Sequence, residues 1–167
     1  MCSEYHVLAI DGPSGIGKSS IIAPVIENLH SQGVSATPFS NNESTPFAAA
    51  IRELAAGSHR PLSLALATAA ARAFLLEMNT DKLLVSDRHI LSTLVYQVLD
   101  GVSLDYLRAI NEPFISSTHF ILLEVSATTL SARRAARAGR GSDRFKKALT
   151  AEREIELYHN ARDSSRQ

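Results

Sequence analysis

One cysteine, no tryptophan, no excess of either charge and no long apolar run: this 167-residue chain is defined first by what it is short of. Cys2 alone cannot form an intramolecular disulfide, and a reducing compartment fits. Seventeen Lys and Arg balance seventeen Asp and Glu, which argues against a general nucleic-acid binder. No apolar stretch approaches the roughly 20 residues that span a bilayer. The first residues lack the charged start and apolar core of a secretory signal. We therefore expect a soluble cytoplasmic protein with neither a membrane nor a nucleic acid as its partner. Internal repeats, low-complexity segments and interdomain linkers are also missing, so residues 1–167 read as one domain. Apolar residues at 45% and charged residues at 20% exclude wholesale disorder. One local imbalance stands out: from Arg133 to Lys147 seven basic residues face only Asp143.

What the chain does have is Gly12-Pro13-Ser14-Gly15-Ile16-Gly17-Lys18-Ser19, after an apolar run (Tyr5 to Ile10) and before a helical pattern. Glycines let such a loop curl until several N–H groups aim at one anion, and the following helix adds its positive end. In that arrangement Lys18 reaches the β- and γ-phosphates, the Ser19 hydroxyl ligates Mg²⁺, and Ser20 continues the phosphate contacts. An ordinary glycine-rich turn is the alternative, but every fixed position of the phosphate-loop motif is filled. ATP and Mg²⁺ are the expected cofactors.

Apolar runs and turn signals set the order of elements. A strand over Tyr5–Ile10 leads to a helix over Lys18–Gln32, bent at Pro24, then a strand over Val34–Phe39. Helices follow over Pro46–Ala56 and from Pro61 to about Met78, then a strand over Lys82–Ser86 ending at Asp87. Helices over Ile90–Leu99 and Ser103–Asn111 precede a strand over Thr118–Val125. Helices over Ala127–Ala138 and Phe145–Arg162 flank a Gly/Arg-rich loop. Such alternation predicts a three-layer α/β fold: a mainly parallel sheet, helices on both faces, and ligands at the carboxyl ends of the strands.

Four segments, in order, resemble thymidylate kinases within the wider group of nucleoside and nucleotide kinases. They are Asp11 to Ser20; Thr45-Pro46-Phe47 leading into Ile51-Arg52-Glu53-Leu54; Val85-Ser86-Asp87-Arg88-His89 followed by Tyr96-Gln97; and Arg133 to Arg144, ending Gly-Ser-Asp-Arg-Phe. The resemblance implies a P-loop NTPase fold and phosphoryl transfer from ATP to a nucleoside monophosphate. In that scheme Asp87 holds Mg²⁺ through water, a helix N-cap being its alternative role. Arg88 forks onto a phosphate oxygen of the acceptor, with a structural ion pair as the alternative. His89 stands where the family has tyrosine and reads as packing. Arg137 and Arg140, in a lid over about 137–145, stabilise charge on the transferring group, and Arg133 or Arg134 stacks on adenine. The alternative for all four is a solvated basic face.

The acceptor pocket implied by the resemblance draws on Phe39, Thr68, Arg72, Arg88, Thr93, Tyr96 and Gln97. Three positions depart from the family. Thr68 replaces a phenylalanine that stacks on thymine, Ser14 replaces an aspartate, and the usual arginine near Ser40 is missing. The family also continues with a further strand and an adenine loop after the point where this chain ends. Thymidylate or a related nucleotide is the leading acceptor. A nucleoside or small-metabolite hydroxyl kinase is the alternative; it needs a carboxylate base, for which Asp11 and Glu43 are the candidates by position. A non-catalytic nucleotide sensor is the third reading. Family kinship also implies a homodimer, to which the Ala-rich run Ala65–Ala73 offers a close helix approach.

Overall fold

The computed structural model describes residues 7–40, 45–56, 60–78, 82–136 and 149–165. Four strands run parallel in the order β2 (Ala36–Phe39), β3 (Leu83–Asp87), β1 (Val7–Asp11), β4 (Thr118–Leu122). Side chains alternate across the sheet, as the two-residue period requires. Val7, Ala9 and Leu84 face one side, where they meet Phe39, Leu75 and Leu76. Ile10 and Val85 face the other, against Ile22, Val25, Ile26 and Leu29 of α1 (Ser19–Ser31).

On the first face lie α3 (Pro61–Met78) and α5 (Leu104–Ile115), whose Phe74 and Phe114 close that layer. Helix α2 (Ala48–Ala56) packs on α3. Beside them α4 (Ile90–Leu99) and α7 (Ala151–Ser164) bury Ile90, Leu91, Leu94, Leu107 and Tyr158 together. Helix α6 (Ala127–Ala136) inserts Leu130 between Ile16 and Ala151. Leu91, Leu107 and Leu130 are fully buried, each contributing about 1.5–3 kcal/mol of transfer free energy. The expected α/β architecture with a parallel sheet is therefore the one observed.

Three expectations need correction. Helix α5 runs past Asn111 through Pro113 to Ile115; a proline in the last turns removes one donor only, and the Ser117 and Thr118 hydroxyls both donate to the Phe114 carbonyl. Helix α7 starts at Ala151, not Phe145, because the Thr150 side chain accepts the Arg153 N–H and fixes the N-cap. And α3, at 18 residues, is long and apolar enough by length and composition to cross a membrane. Its buried residues include Thr68 and Arg72 as well as Ala65, Ala71, Leu75 and Leu76, the pattern of a core helix.

A parallel sheet brings all its carboxyl ends to one edge. Register pairs Ile10 with Asp87, so Asp11 and Asp87 emerge side by side where the phosphate loop begins.

Candidate functional site

The loop after β1 takes backbone conformations that side chains resist. Gly12 (φ 149°) approaches β4 so closely that a Cβ would lie 3.0 Å from the Leu123 carbonyl oxygen, and Gly15 (φ 88°) lies in the left-handed region. Among the described residues, no hydrogen bond uses the N–H of Gly15, Gly17 or Lys18, leaving them to line a cavity of about 180 Å³. Its walls are Ser14, Gly15, Gly17, Lys18, Ser19, Ser20, Asp87 and Arg88. Lys18 is 5% exposed and its ammonium donates to the carbonyls of Gly12 (2.7 Å) and Pro13 (2.8 Å). Burial, and then the Arg88 guanidinium, bring its pKa down from 10.5 to about 7.

Ser19 donates its hydroxyl hydrogen to Asp87 Oδ2 at 2.7 Å. These two oxygens, from a helix start and a strand end, suit a divalent ion that takes most of its ligands from phosphate and water. Among the described residues no cluster of three or more His, Cys, Asp or Glu could cage a metal by itself. The donor set fits Mg²⁺ delivered with a triphosphate.

The N-cap role weighed for Asp87 belongs instead to Asp11. Fully buried, its carboxylate accepts the N–H groups of His89 and Ser92 (both 3.2 Å) and the Ser92 hydroxyl (2.6 Å). It thus satisfies orphan amides at the start of α4, whose own N-cap side chain makes no such bond. Asp11 is spent structurally, which removes one of the two candidate bases; the other, Glu43, lies outside the described residues, as do Arg137 and Arg140.

Arg88 is the one described non-glycine residue with positive φ (69°). Its backbone is held from two sides, by Arg88 N–H to Ile10 O (3.1 Å) and by the Ser86 hydroxyl to Arg88 O (2.7 Å). Its Nη1 donates to the Tyr158 (2.9 Å) and Tyr96 (3.2 Å) hydroxyls, and the guanidinium lies 5.5 Å from the centre of the Tyr96 ring. Among the described residues no acidic group joins these contacts, so the ion-pair alternative finds no support in them.

The acceptor-side residues are packed rather than open. Phe39 is buried with its ring 5.6 Å from that of His89. Thr68 turns its hydroxyl back to Leu64 O (2.7 Å). Arg72, at 1% exposure, bonds Asn111 Oδ1 (2.6 Å), the Thr93 hydroxyl and the His89 carbonyl (3.4 Å), and burial brings its pKa down to about 10. Thr93 and Gln97 are buried beside it. Four buried atoms here have no partner among the described residues: Arg72 Nε, both His89 ring nitrogens and Gln97 Oε1. Such orphans are costly unless a polar ligand meets them. His89 therefore packs, as expected, while its nitrogens stay unbonded.

Where it is described, the basic segment touches the phosphate loop. Arg133 Nη1 donates to Ile16 O (2.6 Å) and Arg134 Nε to Ser14 O (3.0 Å), so both guanidinia rest on phosphate-loop carbonyls, Arg133 from an exposed position and Arg134 from a half-buried one. Sequence reading missed Glu154. Buried in α7, it accepts the Ser14 N–H at 2.9 Å and the Tyr96 hydroxyl, and pairs with Arg134. Tyr158 was missed with it. A readable signal existed: Ala151, Glu154, Tyr158 and Ala161 form one buried helical stripe, and a glutamate in such a stripe needs partners.

The thymidylate kinase family model matches residues 10–164, which spans the phosphate loop, Asp87-Arg88, the arginine-rich segment and α7. No curated protein matches the chain.

Proposed function

Because the chain belongs to the thymidylate kinase family, a family of nucleotide kinases, we propose that it transfers the γ-phosphoryl group of ATP to a nucleoside monophosphate, dTMP or a relative. The observation that carries this reading is the gathering of Lys18, Ser19, Asp87 and Arg88 on one cavity at the carboxyl edge of the sheet. Loop amides and Lys18 hold the donor phosphates. Ser19 and Asp87 would hold Mg²⁺, which would supply neutralisation of the triphosphate charge.

Arg88, across the cavity, meets the acceptor phosphate. That phosphate is already ionised near pH 7, so alignment and charge neutralisation suffice and no general base is required. Arg137 and Arg140 complete the neutralisation, and Arg133 borders the adenine. Thr68, Arg72, Thr93, Tyr96, Gln97 and Phe39 would receive the acceptor base; they are packed together in this structure and must part to admit it, whereupon the unpartnered atoms of Arg72 and Gln97 would supply a donor and an acceptor. With threonine in place of a stacking ring, the contact forfeits about 1–3 kcal/mol, so selectivity rests on polar contacts.

The test is ADP release with Mg·ATP over a panel of nucleoside monophosphates, nucleosides and phosphorylated metabolites. Turnover with a monophosphate supports the reading, turnover with nucleosides alone moves it to the hydroxyl class, and nucleotide binding without turnover leaves a sensor. We propose a homodimer pairing through α3; Ala65, Ala69 and Ala71 of the Ala-rich run are buried inside the protomer, so the contact would fall on Leu62 (52%) and Leu66 (46%), exposed one turn apart. A monomeric mass by light scattering at micromolar concentration would refute the pairing.

A further inference from the structure

Arg134 and Glu154 enclose the third residue of the phosphate loop from both sides. Glu154 Oε1 accepts the Ser14 N–H (2.9 Å), while Arg134 Nε donates to the Ser14 carbonyl (3.0 Å). Glu154 Oε2 takes the Arg134 guanidinium, whose Nη1 also reaches Leu149 O (3.5 Å). The carboxylate is nearly fully buried, its side chain 3% exposed against 16% for that of Arg134. This places a buried carboxylate directly behind Ser14, one wall of the loop cavity, and next to a cation that it holds back. Arg134 also lies against the cup itself: a Cβ on Gly15 would meet its Cγ at 3.3 Å.

We infer that Arg134 is a phosphate-binding residue kept in reserve by Glu154, and that it exchanges this carboxylate for the triphosphate when nucleotide enters. The inference rests on the loop being a triphosphate site, and goes beyond that by assigning Arg134 to phosphate rather than to adenine. Three physical points support the exchange. A guanidinium forks as well onto phosphate oxygens as onto a carboxylate, and a triphosphate offers more charge than Glu154 does. The released Glu154 is not orphaned, because the Tyr96 hydroxyl and the Ser14 N–H remain on Oε1. And leaving a carboxylate unpaired beside a bound polyanion costs affinity, so Glu154 sets a threshold that nucleotide must overcome.

This makes Glu154 a positioning residue with an unusual sign. If it merely shaped the loop, replacing it would weaken nucleotide binding. If it restrains Arg134, the isosteric Glu154→Gln keeps an acceptor for Ser14 and Tyr96, frees the guanidinium, and tightens Mg·ATP binding by about tenfold, the worth of one partly exposed charge-assisted bond. The gain should disappear in Arg134→Gln/Glu154→Gln.

Calorimetric titration of Mg·ATP into the full-length wild type and both variants decides it. Tighter binding in the single variant, reversed in the double, is the expected result. Unchanged or weaker binding in Glu154→Gln overturns the inference and leaves the kinase reading intact. A gain that persists in the double variant also overturns it, since simple repulsion by Glu154 would then account for the effect. No binding by any of the three proteins overturns both readings together. Should Glu154→Gln fail to fold, the wild type carries the test by NMR: the Arg134 Nε–H resonance, assigned by its loss in Arg134→Lys, shifts on saturation with Mg·ATP, and a stationary resonance refutes the exchange.

Discussion

Mg·ATP binding should take up a proton, and the group responsible is Lys18. In the free protein its ammonium is enclosed by the loop, and burial together with the Arg88 charge holds its pKa at about 7. A bound triphosphate is a polyanion in direct contact and restores the ordinary preference for the charged form. Only the protonated lysine binds well, so affinity falls as pH rises through 7. At pH 8 about nine-tenths of the free protein carries a neutral Lys18, and from pH 7 to pH 9 the dissociation constant should rise about 50-fold. ATP itself does not contribute above pH 7.5, because its terminal phosphate titrates near 6. Calorimetry at pH 6, 7, 8 and 9, in buffers of different ionisation enthalpy, reads the protons directly. Lys18 contributes an uptake of about 0.1 at pH 6, 0.5 at pH 7 and 0.9 at pH 8, from which proton release by the terminal phosphate subtracts below pH 7.5. Lys18→Arg, which keeps its charge throughout this range, should flatten the profile. An affinity independent of pH between 7 and 9 in the wild type, with no proton uptake, refutes the reasoning.

Other consequences can be measured independently. Arg88→Ala should raise the acceptor KM by about 10–100-fold, the loss of a charged hydrogen bond, and leave the ATP KM within threefold; equal damage to both would remove the acceptor role. Asp11→Ala strips the start of α4 of its acceptor and should cost about 2–4 kcal/mol in denaturant unfolding, whereas less than 1 would deny the capping role. His89 is buried with its pKa held well below 6.5, by burial first and by Arg72 second. Its neutral form is therefore favoured by folding. Stability on its account is full above pH 6.5 and falls by up to about 1.4 kcal/mol per unit as the pH drops below that value, a slope that His89→Leu should reduce. Finally, Ser19→Ala should reduce the gain in ATP affinity that Mg²⁺ confers, seen by titrating ATP with and without the metal; an undiminished gain would take Ser19 out of the metal site.

The sequence made the scaffold legible because the scaffold is local. Short apolar runs bounded by turn signals, such as Leu83-Leu84-Val85 before Asp87, read as strands covered on both faces, and the phosphate loop carries its own spacing. Boundaries failed where a single side chain outvoted the pattern. Thr150 starts α7 six residues later than its periodicity suggests, and Pro113 sits inside a helix because only the last turn is affected. The site was legible as a set of residue types but not as a set of partners. Asp11 and Asp87 look alike in sequence, and only the register of β1 on β3 sends one to α4 and the other to Ser19. Glu154 lies 140 residues from Ser14, and no motif spans that distance.

Arg88 sits at a backbone angle that asparagine or glycine would adopt with less strain, and neither of those could carry its charge. Any effort to make this protein more heat-resistant by relieving strained torsions would choose this position early. Whatever thermal tolerance it gained would come by deleting the cation that faces the phosphate cup, so ruggedness and turnover are set against each other at a single torsion.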